Sequence, residues 1–557
     1  MRLLCAVLLL AASASTVVAQ AQPYPDRWVF VSRSLNKDQD VDDIRQIVRT
    51  ASEHGLNGML FSSGLDSLDL QSPDYFRRLS EVKGFCTQYN VEIIPCIFSV
   101  GYGGGALAHD RNLAAGLLVN DALFVVKGQE ANLVPDPPVQ VVNGGFEQHQ
   151  NDRFPGYTFI DGPGQISFAD TQVFKEGACS LRFSNPAAAG QWGHARVMQE
   201  VTVKPQRHYR ISAWVKTQDL DPPRAFAIQV LTEKGTLAPR ELSIPATTDW
   251  RQVAADFNSK DYDKVRVYIG MWGWKGGMLW IDDIRVEEVG FLNVIRRPGT
   301  PVSVKSEDGK TLYEEGRDFA RIEDPGLRPW DVWHQVPPLK LLPNSRITDG
   351  QRLRVSFYHA MAVGDSQVSL CMSEPKLYEL WAQQARLLKQ YLAPQKWLLS
   401  MDEIREGGSC AACQARNMTM AQILGDCISK QVRLIREVEP QAEVYIWSDM
   451  LDPNHNAHDN YYLVEGDFSG SWAHVPRDLI ITCWYYEKRN DSLPFFANLG
   501  FRTLAGAYYD GDTLDNPRGW LESMKSIQGC RGIMYTTWQD KYQLLPAFGD
   551  LVTAVNR

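Results

Sequence analysis

Short runs of β-branched and aromatic residues alternate with segments of helical period along much of this 557-residue chain. Such alternation calls for a parallel sheet with helices packed against it. Strand-like runs occupy 28–32, 59–62 and 91–98, with helical periods over 41–54 and 75–89. The pattern stops near residue 115 and resumes near 374. From there, helical periods over 377–392, 420–438, 492–499 and 517–527 interleave with strand-like runs at 397–401, 444–447, 479–484, 502–505 and 532–537. Three strands before the interruption and five after it make the eight units of a closed (β/α)8 TIM barrel. In this α/β fold the C-terminal strand ends carry the chemistry.

The interruption has a different texture. Over 140–289 short alternating runs are separated by turn signals with almost no helical period, which predicts a β-sandwich of jelly-roll type. Residues 290–361 hold further short strands and Pro-rich turns. Together with 116–139 they are expected to connect the sandwich to the barrel, whose two parts are 22–115 and 362–557.

Residues 1–21 show a basic start at Arg2, a short apolar run and small residues before an Ala-x-Ala-like end, as in a secretory signal peptide. The apolar run is too short for a stable span, and no other stretch approaches twenty uninterrupted apolar residues, so no membrane span is expected. The mature protein is therefore expected to be secreted or periplasmic. The net charge of −9 disfavours nucleic acid as a partner, because phosphates require a basic surface. Of ten cysteines, Cys5 lies in the signal and nine remain, an odd number. Cys410, Cys413 and Cys427, with His455 and His458, invite a zinc reading. No second close-spaced Cys pair accompanies them, and an oxidising compartment favours disulfides, so at least one of the three is expected in a disulfide.

The fourth strand runs straight into Asp402-Glu403. Adjacent acids at this end of a barrel strand suit glycoside hydrolysis, in which one carboxyl protonates the leaving oxygen while another group supports the developing cation. Strand periodicity sends neighbours to opposite faces, so both serve one site only where the strand twists or bulges. Later strand ends offer Trp447 with Asp449, Trp484 with Glu487, Tyr508 with Asp510, and Trp538. Any single Trp among them is better explained by core packing. Their recurrence beside acids fits a pocket in which aromatic walls stack on sugar rings and carboxylates bind hydroxyls. His359, which closes the run 353–359 just before the barrel resumes, joins this substrate-binding set. The expected partner is an oligo- or polysaccharide, and no cofactor is required for catalysis.

A barrel with Asp-Glu at its fourth strand, Trp447-x-Asp449 at its fifth and Trp538 near its eighth resembles the family 20 glycoside hydrolases, the β-N-acetylhexosaminidases. The resemblance implies Glu403 as general acid/base and Asp402 as support for a substrate 2-acetamido group, with Trp447, Trp484 and Trp538 around the sugar. The family's His-x-Gly-x before the acids is replaced by Leu398-Leu-Ser-Met401. A double-displacement glycosidase with Asp510 as nucleophile is the alternative, and a non-catalytic polysaccharide-binding barrel is the rival from another class. In the insert, Asn143-Gly-Gly-Phe-Glu147, Gly177-Ala-Cys-Ser-Leu-Arg-Phe183 and Trp280-Ile-Asp-Asp-Ile-Arg285 resemble carbohydrate-binding modules of families 4 and 9. That resemblance implies a structural calcium held by Glu147 and Asp282 or Asp283.

Overall fold

The computed structural model of the protein describes residues 24–364 and 366–555, so the expected signal segment lies outside the described residues. Eight parallel strands close into a barrel in chain order: β1 (Asp26–Ser32), β2 (Gly58–Ser62), β3 (Glu92–Ile97), β4 (Lys396–Leu399), β5 (Glu443–Trp447), β6 (Ile480–Cys483), β7 (Arg502–Tyr508) and β8 (Cys530–Thr536). Register is continuous around the ring. Leu398 pairs with Cys96 across β4 and β3, and Trp28 pairs with Met534 where β1 meets β8.

Alternation along each strand sorts the side chains. Trp28, Phe30, Leu60, Ile94, Leu398, Tyr445, Ile480, Leu504 and Met534 form an inner core, whereas Trp397, Leu399, Val444, Ile446 and Ile481 face outward into the layer covered by helices. That layer includes α1 (Asp38–Glu53), α2 (Pro73–Gln88), α3 (Pro375–Tyr391), α4 (Met420–Val438), α5 (Arg489–Asn498), α6 (Asp515–Met524) and α7 (Leu545–Val555). Local chemistry sets their starts. Ser72 caps α2 by accepting from Tyr75 N, with Pro73 at the first helical position, and Thr419 and Gln422 form a reciprocal capping box on α4. Between β5 and β6 the described chain makes no α-helix: it holds 3-10 turns at Asp449–Leu451 and Ser471–Ala473 and a two-residue strand, Leu463–Val464, that pairs with Glu406–Gly407 on the loop after β4.

β3 and β4 are neighbours although the chain between Ile97 and Lys396 builds three further sheets. Two antiparallel five-stranded sheets enclose a core that includes Phe146, Leu181, Phe183, Val197, Ile211, Ile228, Phe257, Ile269 and Ile281. A third, six-stranded sheet draws strands from both flanks of the sandwich. Leu117–Lys127 pairs with Arg352–His359, and the sheet has its own core around Phe124, Phe291, Leu353 and Phe357. The two flanking stretches thus fold as one unit.

Candidate functional site

The mouth of the barrel holds a cavity of about 370 Å³ lined by residues that include Phe30, Asp66, Tyr102, Asp402, Trp447 and Trp538. A contiguous pocket of about 190 Å³ is walled by Tyr102, Asp402, Glu403, Trp447, Trp484, Tyr509, Thr536 and Trp538. Leu398 points inward from β4, and continuing the same alternation brings Ser400 and Asp402 to the cavity. Glu403 should then face away, but its φ of 49° lies in the left-handed region and turns it back beside Asp402. This single backbone departure lets two sequence neighbours share one site. The loop after β3 packs tightly against the turn: a Cβ on Gly101 would collide with the Asp402 carbonyl.

Each acid has defined partners. Ser400 Oγ donates to Asp402 Oδ1 at 2.9 Å. Tyr102 Oη donates to Glu403 Oε2 at 2.5 Å, and Arg405 pairs with Glu403 Oε1 at 3.1 Å. Asp449 Oδ2 accepts from the Glu403 backbone N–H at 2.8 Å and from Asn456 Nδ2 at 2.9 Å. Gln367 Nε2 donates to the Glu403 carbonyl. Burial pushes the Asp402 carboxyl up to about 6, with the Glu403 charge adding to the shift. Asp449 is fully buried, and burial together with the Asp402 charge pushes it up to about 8. The Tyr102 phenol is held well above its ordinary range by burial and by Glu403. Below about pH 8 the acidic cluster therefore keeps a proton, held first by Asp449.

The aromatic wall is built from separate strands. The Trp484 and Tyr509 rings lie nearly parallel, at 6° with centroids 6.0 Å apart, and Trp538 packs on Phe30 at 5.0 Å. Gly506 on β7 leaves room for this wall, since a Cβ there would lie 3.1 Å from Trp484 Cβ. Trp538 is 52% exposed and Tyr102 47%, so flat faces remain open to solvent beside the buried carboxylates.

Four expected substrate-binding residues lie elsewhere. Tyr508 is buried and stacks on Tyr535 at 4.1 Å; positive φ angles at 508, 509 and 510 break the strand alternation and give the pocket to Tyr509 instead. Asp510 accepts from Thr537 Oγ1 at 2.5 Å, Trp538 N at 2.9 Å and Gln539 N at 3.3 Å. It therefore buttresses the β8 loop instead of facing the cavity, which removes it as a nucleophile. Glu487 is exposed on the 3-10 turn Tyr486–Lys488 and lines neither cavity. His359 is wholly buried where the six-stranded sheet meets the sandwich: it stacks on His208 at 3.6 Å, and its Nε2 lies 2.9 Å from Asn258 Nδ2. Asp66, Tyr102, Arg405, Gln367 and Tyr509 were not singled out from sequence. Tyr102 and Gln367 come from loops far from the acidic pair in sequence, where no local spacing signals them.

In the sandwich Glu147 and Asp282 converge: a Cβ on Gly145 would lie 3.8 Å from one carboxylate and 3.9 Å from the other. Burial pushes Asp282 up to about 6 and the Glu147 charge adds to this, although the backbone N–H groups of Lys175, Glu176 and Asp283 donate to its carboxylate. This donor set suits a hard cation. Asp283 turns away and pairs with Arg285 at 2.8 Å, which removes it from the set. All nine described cysteines are free thiols, so no disulfide joins the loop cysteines.

Comparison with known proteins bears on the insert first. Residues 139–276 match the profile of a carbohydrate binding domain family. No curated protein sequence matches the chain. Among solved structures, a family 4 carbohydrate-binding module is similar at 16% identity and a TM-score of 0.21, over 27% of this chain and 99% of that one. A rhamnosidase from Novosphingobium sp. PP1Y aligns over 92% of this chain and 55% of its own, at 11% identity and a TM-score of 0.32. The chitobiase of Flavobacterium johnsoniae aligns over 95% of this chain and 48% of its own, at 7% identity and a TM-score of 0.37. No helix among the described residues is long and apolar enough to cross a membrane.

Proposed function

We propose that the protein is a secreted or periplasmic glycoside hydrolase whose barrel is interrupted after its third strand by a carbohydrate-binding jelly roll. The observation that carries this reading is the placement of Asp402 and Glu403 side by side in one aromatic-walled pocket at the C-terminal mouth of the barrel. A pyranose stacks on Trp538, Tyr509 or Trp484, which brings its glycosidic oxygen to the acids. Glu403 protonates the leaving oxygen, then takes a proton from water in the second half-reaction, so configuration is retained. Asp402, as carboxylate, accepts the N–H of a 2-acetamido group whose carbonyl oxygen attacks the anomeric carbon. Asp449 stores the proton of the cluster and fixes the Glu403 backbone. Glu147 and Asp282 hold a calcium ion that stabilises the sandwich, away from the chemistry.

A second reading has one observation in its favour. Tyr102 and Arg405 each engage one oxygen of Glu403, so both carboxyl oxygens are already occupied by groups of the protein itself. A barrel that binds saccharide without cleaving it would tolerate that arrangement. A panel of aryl glycosides with and without 2-acetamido groups separates the two. The hydrolase reading expects turnover confined to 2-acetamido substrates and strong inhibition by a thiazoline mimic of the cyclised intermediate. Saccharide binding with no turnover on any substrate supports the second reading.

A further inference from the structure

Cys371, Cys410 and Cys413 bring their sulfurs together from two chain segments, with Sγ separations of 3.4, 3.6 and 3.8 Å, and all three are buried. Zinc–thiolate bonds of about 2.3 Å in tetrahedral geometry place sulfurs about 3.8 Å apart, so the three separations approximate three edges of such a tetrahedron. Among the described residues this is the one group of three metal-ligating side chains whose donor atoms converge.

A second observation points at a charged occupant. The Arg297 side chain is only 5% exposed, and its Nη2 lies 3.9 Å from Cys410 Sγ. Its Nε and Nη1 have no hydrogen-bond partner among the described residues, and the nearest carboxylate, on Glu374, stays 3.7 Å from Nε. A buried guanidinium with two unanswered donors is costly unless net negative charge lies against it.

We propose that Cys371, Cys410 and Cys413 bind one zinc ion as thiolates, with Arg297 as counter-charge. Three thiolates and a divalent ion carry a net charge of −1, which the guanidinium, shared with Glu374 at 3.7 Å, offsets; the three thiol protons leave on binding. A solvent ligand completes the fourth position. The expected partner Cys427 is not part of the site, because it lies on α4 beside Tyr378.

The position of the site gives it a structural role. Cys410 and Cys413 lie on the excursion after β4 that also carries Asp402 and Glu403, whereas Cys371 lies just before α3. Ser409 Oγ donates to the Gly116 carbonyl at 2.6 Å, Cys371 N to the Leu113 carbonyl at 2.9 Å and Arg297 Nη2 to the Ala114 carbonyl at 2.9 Å. The ion would therefore clamp the far end of the acid-bearing loop at the junction where the chain leaves the barrel for the insert and returns to it. This role does not depend on whether the barrel hydrolyses glycosides.

The test uses the full-length protein, reduced and stripped of metal, titrated with Co²⁺ as a spectroscopic probe and with Zn²⁺ in competition. The expected result is one equivalent of Co²⁺ with thiolate charge-transfer absorption, displaced by Zn²⁺. Cys413→Ser should remove that absorption, Cys427→Ser should leave it unchanged, and Arg297→Ala should weaken Co²⁺ binding roughly 10- to 100-fold, as for the loss of a supporting second-layer group. The wild-type titration keeps the proposal testable where a variant fails to fold. No stoichiometric uptake by the wild-type protein, uptake unchanged in Cys413→Ser, or a disulfide joining two of the three in the protein as purified overturns it.

Discussion

Asp449 Oδ2 accepts the backbone N–H of Glu403 at 2.8 Å, and this contact ties the end of β5 to the turn that follows β4. The bond supports a residue at φ 49°, a conformation that costs a non-glycine residue roughly 1–3 kcal/mol. A hydrogen bond to a neutral, protonated carboxyl returns roughly 0.5–1.5 kcal/mol, which offsets part of that cost, and leaving the Glu403 N–H without an acceptor would add roughly 1–3 kcal/mol. Asp449→Ala should therefore lower stability by about 1–3 kcal/mol and reduce activity by about 10²-fold or more, because Glu403 swings out of line. Asp449→Asn keeps a carbonyl acceptor and should retain most of the stability. Denaturant melts of both variants check the difference.

The same group sets the pH dependence. Asp402 must be ionised to accept an amide N–H, so kcat/KM should fall as pH drops below about 6, where its carboxyl gains a proton. Asp449 keeps its proton up to about pH 8, so activity should fall again above that value as the cluster loses it. Asp449→Asn should abolish the alkaline limb and leave the acid limb in place. A pH–rate profile of wild type and variant reads both.

Tyr509 and Trp484 form the near-parallel wall. Tyr509→Ala should raise KM with a smaller change in kcat, since stacking on a ring binds ground state and transition state alike; the loss should be about 1 kcal/mol, or roughly fivefold. Tyr508→Phe, in the buried neighbour, should leave KM unchanged. Steady-state kinetics of the pair decide whether the pocket uses the second tyrosine.

Glu147 and Asp282 predict a calcium-dependent melt. Calcium at 100 times its Kd should stabilise the folded protein by about 2.7 kcal/mol, and Asp282→Asn should remove that response. Asp283→Asn should not, since Asp283 is engaged with Arg285. Thermal melts of the full chain with calcium and with chelator read the result.

The barrel was legible because its strands are apolar runs flanked by polar turns and its helices carry local start signals such as Ser72-Pro73 and Thr419-x-x-Gln422. The acidic pair was legible because it follows an apolar strand directly. What makes it a site was not. A φ of 49° at Glu403 leaves no trace in residue type, and Tyr102 reaches Glu403 across 301 residues. Tyr508 and Asp510 were misplaced for a related reason: period-two reading fails where three successive residues take positive φ. His359 ends a strand, as barrel-mouth residues do, but the strand belongs to the six-stranded sheet and buries it against His208. The thiol cluster eluded spacing rules because Cys371 stands far from the Cys410-x-x-Cys413 pair in sequence.

The central claim is that Glu403 donates the leaving-group proton while Asp402 holds the acetamido group, and hydrolysis of paired 2-acetamido glycosides by two variants tests it most directly. Glu403→Gln should nearly abolish turnover of substrates with poor leaving groups while sparing activated aryl glycosides, whose phenols need no proton. Asp402→Asn should slow both kinds alike, by about 10²-fold or more, because the lost partner stabilises ring closure whatever the leaving group. Equal losses on both kinds of substrate in Glu403→Gln, or full activity in either variant, would contradict the account.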